Sequence, residues 1–242
     1  MSEPLVVVTA VAPESRAVLR TLRQPTRLHL PGIRAWRGTV DNRPVIVMQS
    51  GIGPERARAA LTALSEPCAL VVSAGFAGAL VDGVAAGDVV LPETIVWWSG
   101  AEVARYAVPT GPWQSARAAM PQRLAKRTVH GPLLSSATVL ASVTDKRDAA
   151  RRFGAAAVEM EVAGLLEVAR PRNVGVLALR TILDAADVSL EGLPANLDSS
   201  WAARARLIGM PHVWSRIAAL TRQVSVASAA LADATNAALR AI

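Results

Sequence analysis

Cysteine, histidine, lysine and aromatic side chains are all scarce in this 242-residue chain, and each shortage closes off a class of chemistry. The single cysteine, Cys68, permits no internal disulfide and has no partner signature of a thiol nucleophile; it reads as a small hydrophobe at the mouth of a strand. His29, His130 and His212 lie far apart without paired ligand spacing, so no metal site is expected. There is no GxSxG for a serine hydrolase, no completed GxGxxG for a dinucleotide and no Gly-Lys-Ser/Thr for a phosphate-binding loop of the Walker kind. No apolar run is long enough to cross a bilayer, and Glu3 with no basic cluster before Leu5–Val8 argues against a secretory signal. These absences point to the cytoplasm.

Charge is abundant in one sign, with a net of +7, yet lysine occurs only at Lys126 and Lys146. The arginines are scattered, and aromatics make up 4% of the chain, so there is no compact basic run interleaved with rings and no nucleic-acid partner is expected. A basic surface of this kind suits anionic lipid headgroups or phosphorylated substrates.

What is present is a packed globular composition, 52% hydrophobic and 19% charged, long enough for one large α/β domain over 1–242. Leu5–Thr9 reads as a first strand and Pro13–Leu22 as the helix after it. Ile33–Val40 and Pro44–Gln49 form a pair turned by Asp41-Asn42-Arg43, and Ser50-Gly51-Ile52-Gly53 opens a helix with Pro54 at its first position. Cys68–Ser73 is a buried strand running into a glycine loop, Ala74-Gly75-Phe76-Ala77-Gly78, and Gly87–Leu91 is another strand. Loops and short elements are expected over 99–132, strand over Leu133–Leu140 and helix over Thr144–Phe153. From Pro211, apolar residues Val213, Ile217, Leu220, Val224, Ala227, Leu231 and Ala234 recur at steps of four and three. They mark one stripe of a long helical tail, 211–242, that packs on the core or a partner subunit, or serves as a lid or membrane contact.

The chemistry concentrates in carboxylates set in apolar runs. Val158-Glu159-Met160-Glu161 lies inside Ala155–Leu166, and Val174–Leu179 runs into Arg180 and Asp184. Buried carboxylates are costly unless paired or used. If Ala156–Glu161 is extended, Glu159 and Glu161 share a face, at the strand end where open α/β sheets bind ligands. Asp184 near a second carboxylate in a desolvated site would hold a proton and pass it to a leaving group, with Glu161 ionised beside it. A structural Asp184–Arg180 salt bridge is the competing reading. The loops around Gly51, Gly53 and Gly75 are either tight turns or anion sites.

Ser50–Gly53, Ser73–Leu80, Gly87-Asp88-Val89-Val90, Val158–Glu161 and Arg180–Asp187 together resemble the purine nucleoside phosphorylase and methylthioadenosine/adenosylhomocysteine nucleosidase superfamily over about residues 5–190. Leu193-Pro194 and the alanine-rich tail are most similar to the hopanoid-associated phosphorylases within it. The resemblance implies a three-layer α/β/α sandwich around a mixed, mostly parallel sheet with a long C-terminal helix, and a dimer or larger homo-oligomer. It implies cleavage of a purine nucleoside N-glycosidic bond without a cofactor. Phosphorolysis, with inorganic phosphate as co-substrate, is the leading expectation, with adenosylhopane at the inner membrane surface as one substrate. Phosphate-independent hydrolysis and a non-catalytic nucleoside sensor are the alternatives. Asp184 matches the acid that protonates the purine at N7, Glu161 the carboxylate on the ribose hydroxyls, and Met160 the side chain under the sugar; Glu159 opens the same motif. Glu14 matches the glutamate that orients water in hydrolytic members. Val139 and Leu140 fall where the base packs, without the aromatic common there. Gly75, Phe76 and Arg180 join the substrate-binding set, and Gly51, Gly53 and Ser73 the phosphate or water loop. Phe76 stands where a small hydroxyl residue is usual, and Ser73 where phosphorylases often carry arginine; Arg16, Arg20 and Arg43 are the replacements on offer for a phosphate anchor.

Overall fold

A computed structural model describes residues 3–191 and 211–242, with side chains of the second segment described from 221 onward. The chain begins with β1 (Leu5–Thr9), α1 (Ala12–Leu19), a meander of β2 (Arg23–Leu30), β3 (Ile33–Val40) and β4 (Arg43–Gln49), then α2 (Pro54–Thr62) and β5 (Leu70–Ala79). A middle stretch follows: β6 (Val89–Val90), β7 (Thr94–Trp98), β8 (Val103–Ala107), α3 (Thr110–Ala119), α4 (Gln122–Ala125) and β9 (Thr128–Val129). The last part comprises β10 (Leu133–Ser136), α5 (Val143–Phe153), β11 (Ala157–Glu159), α6 (Val162–Ala169), β12 (Gly175–Asp184) and α7 (Pro211–Ala241).

The strands form one mixed sheet in the order β2-β3-β4-β1-β5-β11-β10-β7-β8, with β12, β6 and β9 branching from β5. At its centre β1 lies parallel to β4 and β5, and β5 parallel to β12. These strands are near-continuous apolar runs because helices cover both faces; all five residues of β1 are buried. β5 serves two neighbours in succession. Its first half pairs with β1 from Leu70 to Ser73, and its end pairs antiparallel with β11 at Gly78 and Ala79. β12 follows it along its length and shifts register between Ile182 and Asp184. The C-terminal ends of β1, β4 and β12, the outer half of β5 and the β11–α6 junction therefore meet at one rim.

Several sequence expectations are revised. The glycine segment Ala74–Gly78 is not a loop but the second half of β5. The first helix ends at Leu19 rather than Leu22, and an unexpected β2 follows; its exposed RQPTRLHL sequence, with Pro25, carries no apolar alternation because it is an edge. The strand after Gly87 is confined to Val89–Val90, and that at Leu133 ends at Ser136. The 99–132 region contains the ten-residue α3 besides its short elements. The hairpin turn is as expected: Asp41 and Asn42 both take positive φ, 46° and 67°, as a two-residue connection needs.

In α7, Ala227, Leu231 and Ala234 are fully buried, and the helix packs on β12, α1 and α3. Thr181 donates to the Ala227 carbonyl at 3.0 Å. The described part of the stripe is thus a core face; Val213, Ile217 and Leu220 lie outside the described side chains, as do Leu193 and Pro194. Among the described residues no helix is long and apolar enough to cross a membrane.

Candidate active site

Glu14 enters the rim from the first turn of α1. Its Oε2 accepts from the backbone N–H of Ala10 at 2.7 Å and Val11 at 3.0 Å, and its Oε1 from Phe76 N–H at 2.7 Å. Residue 75 must be glycine for this to happen, since a Cβ there would sit 2.7 Å from Glu14 Oε1. Burial pushes the Glu14 carboxyl above its ordinary range, against the pull of its backbone donors and of Arg180.

Arg180, 1% exposed on β12, is the hub of the neighbouring cluster. Its Nη2 donates to Glu159 Oε2 at 2.5 Å and to Ser73 Oγ at 2.8 Å, and stands 3.9 Å from Glu161 Oε2. Its Nε, buried, has no protein partner among the described residues. Glu159 also caps α6, accepting from the N–H groups of Glu161 at 2.9 Å and Val162 at 3.1 Å. The two motif glutamates do not share a strand face as expected. β11 ends at Glu159, and Glu161 is the N-cap residue just before α6, with φ −114° and ψ −36°. The turn nevertheless brings both carboxylates to Arg180. Glu161 Oε1 accepts from Gly53 N–H at 3.0 Å. That contact depends on α6 lying against the start of α2, where Gly164 is so close that a Cβ would fall 2.0 Å from the Pro54 carbonyl oxygen.

The electrostatics revise the expected state of Glu161 and the expected neighbours of Asp184. Burial and the charge of Glu159 push the Glu161 carboxyl up to about 8, with Arg180 opposing, which favours a protonated Glu161 at neutral pH. Asp184, expected beside a second carboxylate or Arg180, is instead ion-paired to Lys146, Nζ to Oδ2 2.5 Å, with 1% and 5% of the two side chains exposed. Burial raises the Asp184 carboxyl and Lys146 lowers it; no second carboxylate contributes.

Lys146 is a residue that sequence reasoning passed over. Its signal was its rarity in an arginine-rich chain, and its place on the face of α5 that also buries Ala149 and Phe153. Of the remaining expected residues, Ser73 is buried on β5 beneath Arg180, and Gly51 and Gly53 flank Ile52 in the loop after β4. Met160 and Phe76 are half-buried. Leu140 is taken up by a small core cluster with Leu134, Phe153 and Val158, whereas Val139 is 53% exposed, so only Val139 of that pair stands open. Among the described residues no group of His, Cys, Asp or Glu is arranged to hold a metal ion.

A rim bearing two separate acid systems, one protonated and one held by a cation, is the equipment of acid–base bond cleavage. A family model described as the phosphorylase superfamily matches residues 4–208, and the chain belongs to that family. It is a glycosyl-cleaving enzyme. Among curated relatives it is 25% identical over 209 residues to the 5′-methylthioadenosine/S-adenosylhomocysteine nucleosidase of Shewanella frigidimarina, covering 80% of this chain and 90% of that one. The fold matches that of the nucleosidase of the same description from Neisseria meningitidis, in complex with methylthio-immucillin-A, with TM-score 0.78 and 18% identity over 99% of this chain and 100% of that one. It also matches futalosine hydrolase of Helicobacter pylori, with TM-score 0.73 and 20% identity over 97% of each chain.

Proposed function

We propose that the protein hydrolyses the N-glycosidic bond of an adenosine-type purine nucleoside, with water rather than phosphate as the nucleophile. The observation that carries this is the balance of buried charge. Among the described residues the buried cations are Arg180 and Lys146, and each is already bonded to a carboxylate. A phosphate dianion at the Glu14 end of the rim would meet Glu14, Glu159 and Glu161 with no uncommitted buried cation to receive it. The anchors proposed from sequence do not supply one. Arg43 opens β4, at the opposite end of that strand from the Gly51–Gly53 loop, and donates to the backbone carbonyl of Ile242. Arg16 and Arg20 are exposed. The curated relatives quoted above, described as nucleosidases, favour the same reading over phosphorolysis.

In this reading Asp184 delivers a proton to the departing purine. Protonated Glu161 donates to and accepts from ribose hydroxyls, and Glu14 orients and deprotonates the attacking water as the sugar becomes cationic. The test is adenine release from methylthioadenosine, adenosylhomocysteine and adenosylhopane, with and without phosphate, with the sugar product identified. Free sugar formed without phosphate is expected. Strict phosphate dependence with a sugar 1-phosphate product would return the reaction to phosphorolysis, and tight nucleoside binding without turnover would make the protein a sensor.

A further inference from the structure

We propose that Lys146 is a positioning residue of this active site: its ammonium group fixes the Asp184 carboxylate and the turn that follows it, and sets the pH range over which that acid carries its proton. The inference rests on the reading of Asp184 as the proton donor and deepens it. A lysine ammonium has three protons to donate, and here all three are placed: to Asp184 Oδ2 at 2.5 Å, to the Ala185 carbonyl at 3.0 Å and to the Val188 carbonyl at 2.8 Å. A single side chain on α5 thus binds both the last residue of β12 and the chain leaving it. Burying an ammonium is expensive, and a lysine used only to fill space would be replaced at no loss by an apolar residue of similar volume. Lys146 instead spends its charge on the one carboxylate positioned to meet the leaving base.

The surroundings of Asp184 leave this cation in sole command. From β5 the neighbour is Gly78, and the Val158 side chain of β11 lies against that same glycine; neither is charged. Asp145, Arg147 and Asp148 on α5 and Asp187 after β12 are exposed. Arg180 is committed to Glu159, Glu161 and Ser73. Burial works to keep Asp184 protonated and the ammonium works to keep it ionised; the acid sits between the two.

The consequence is directional. A general acid acts while protonated, so kcat/KM falls as pH rises through its pKa. Lys146→Met removes the charge that favours the ionised form, which raises that pKa and moves the alkaline limb to higher pH by about one unit or more. Lys146→Arg returns the limb toward its original pH, and Lys146→Gln, which keeps donors without the charge, behaves like Lys146→Met. Because Glu161 titrates nearby, the same variants are followed by NMR of protein labelled at the aspartate carboxyl carbon. The Asp184 signal, identified by its loss in Asp184→Asn, should titrate at higher pH in Lys146→Met than in the unsubstituted protein. A uniform drop in kcat with the limb and the Asp184 titration unmoved in both neutral variants would overturn the proposal. Full activity in Asp184→Asn would instead remove Asp184 as the acid, and so defeats the functional reading and not the Lys146 assignment alone.

Discussion

The two charged centres of the rim are built from the same materials, and burial raises the acid of each, but different neighbours oppose or reinforce that shift. Around Arg180, Glu14, Glu159 and Glu161 share one buried cation, and burial, reinforced by the surplus negative charge, keeps a proton on Glu161. At Asp184 a single carboxylate has a cation of its own, and only burial resists its ionisation. The ratio of carboxylates to cations, more than burial alone, separates the two, since all of these side chains are nearly inaccessible. Two groups with pKa values driven by different neighbours are what an enzyme needs in order to hold a sugar and protonate a base in one cleft.

The strongest way to break the comparison is to take the cation from the crowded centre. Arg180→Met leaves Glu159 buried without its partner and should cost about 3–5 kcal/mol of stability, read by chemical denaturation, together with loss of turnover. A stability within 1 kcal/mol of the unsubstituted protein would mean that Arg180 is not the hub. A smaller effect is expected where glycine gives Glu14 its place. In Gly75→Ala the new methyl collides with Glu14 Oε1, so the carboxylate must move from its three N–H donors. Activity should fall by about 10²-fold if Glu14 serves as the base, with substrate affinity largely kept. Turnover equal to that of the unsubstituted protein would release Glu14 from that role.

The gentlest perturbation sharpens the contrast through pH. Glu161 has a folded pKa of about 8, above its value of 4.5 when unconstrained, so the folded chain binds the extra proton between these limits. Its stabilising contribution is complete below pH 4.5 and is lost as pH climbs toward 8. Glu161→Gln removes that loss. The unfolding free energies of the two proteins, compared across pH 5 to 8, should therefore move steadily in favour of the variant as pH rises. Parallel curves would place the Glu161 pKa in the ordinary carboxylate range.

Local signals made much of the frame legible. Leu5–Thr9 is a strand because four consecutive apolar residues, followed by a β-branched threonine, suit a position buried on both faces, and Asp41-Asn42 turns because those side chains tolerate positive φ. Pro54 after a glycine opens a helix because the first helical N–H needs no partner. β2 was hidden because an exposed edge carries no alternation, and the second half of β5 because glycine reads as a turn where it in fact admits a carboxylate. Glu159, Glu161, Arg180 and Asp184 were named from their place in apolar runs and Glu14 from the family resemblance, yet their pairing was not. Asp184 found Lys146, 38 positions earlier, and Arg180 found Glu159, Glu161 and Ser73.

By itself, then, the amino-acid order determined which segments would be buried strands, where several of the turns fall and which acidic residues would be worth burying, because each depends on neighbours a few residues away. Which cation faces which carboxylate, and so what opposes burial in setting each proton, was decided only when β1, β5, β11, β12 and α5 came together. Charge acts through space across a desolvated interior, and the partners that set it are distant in the chain.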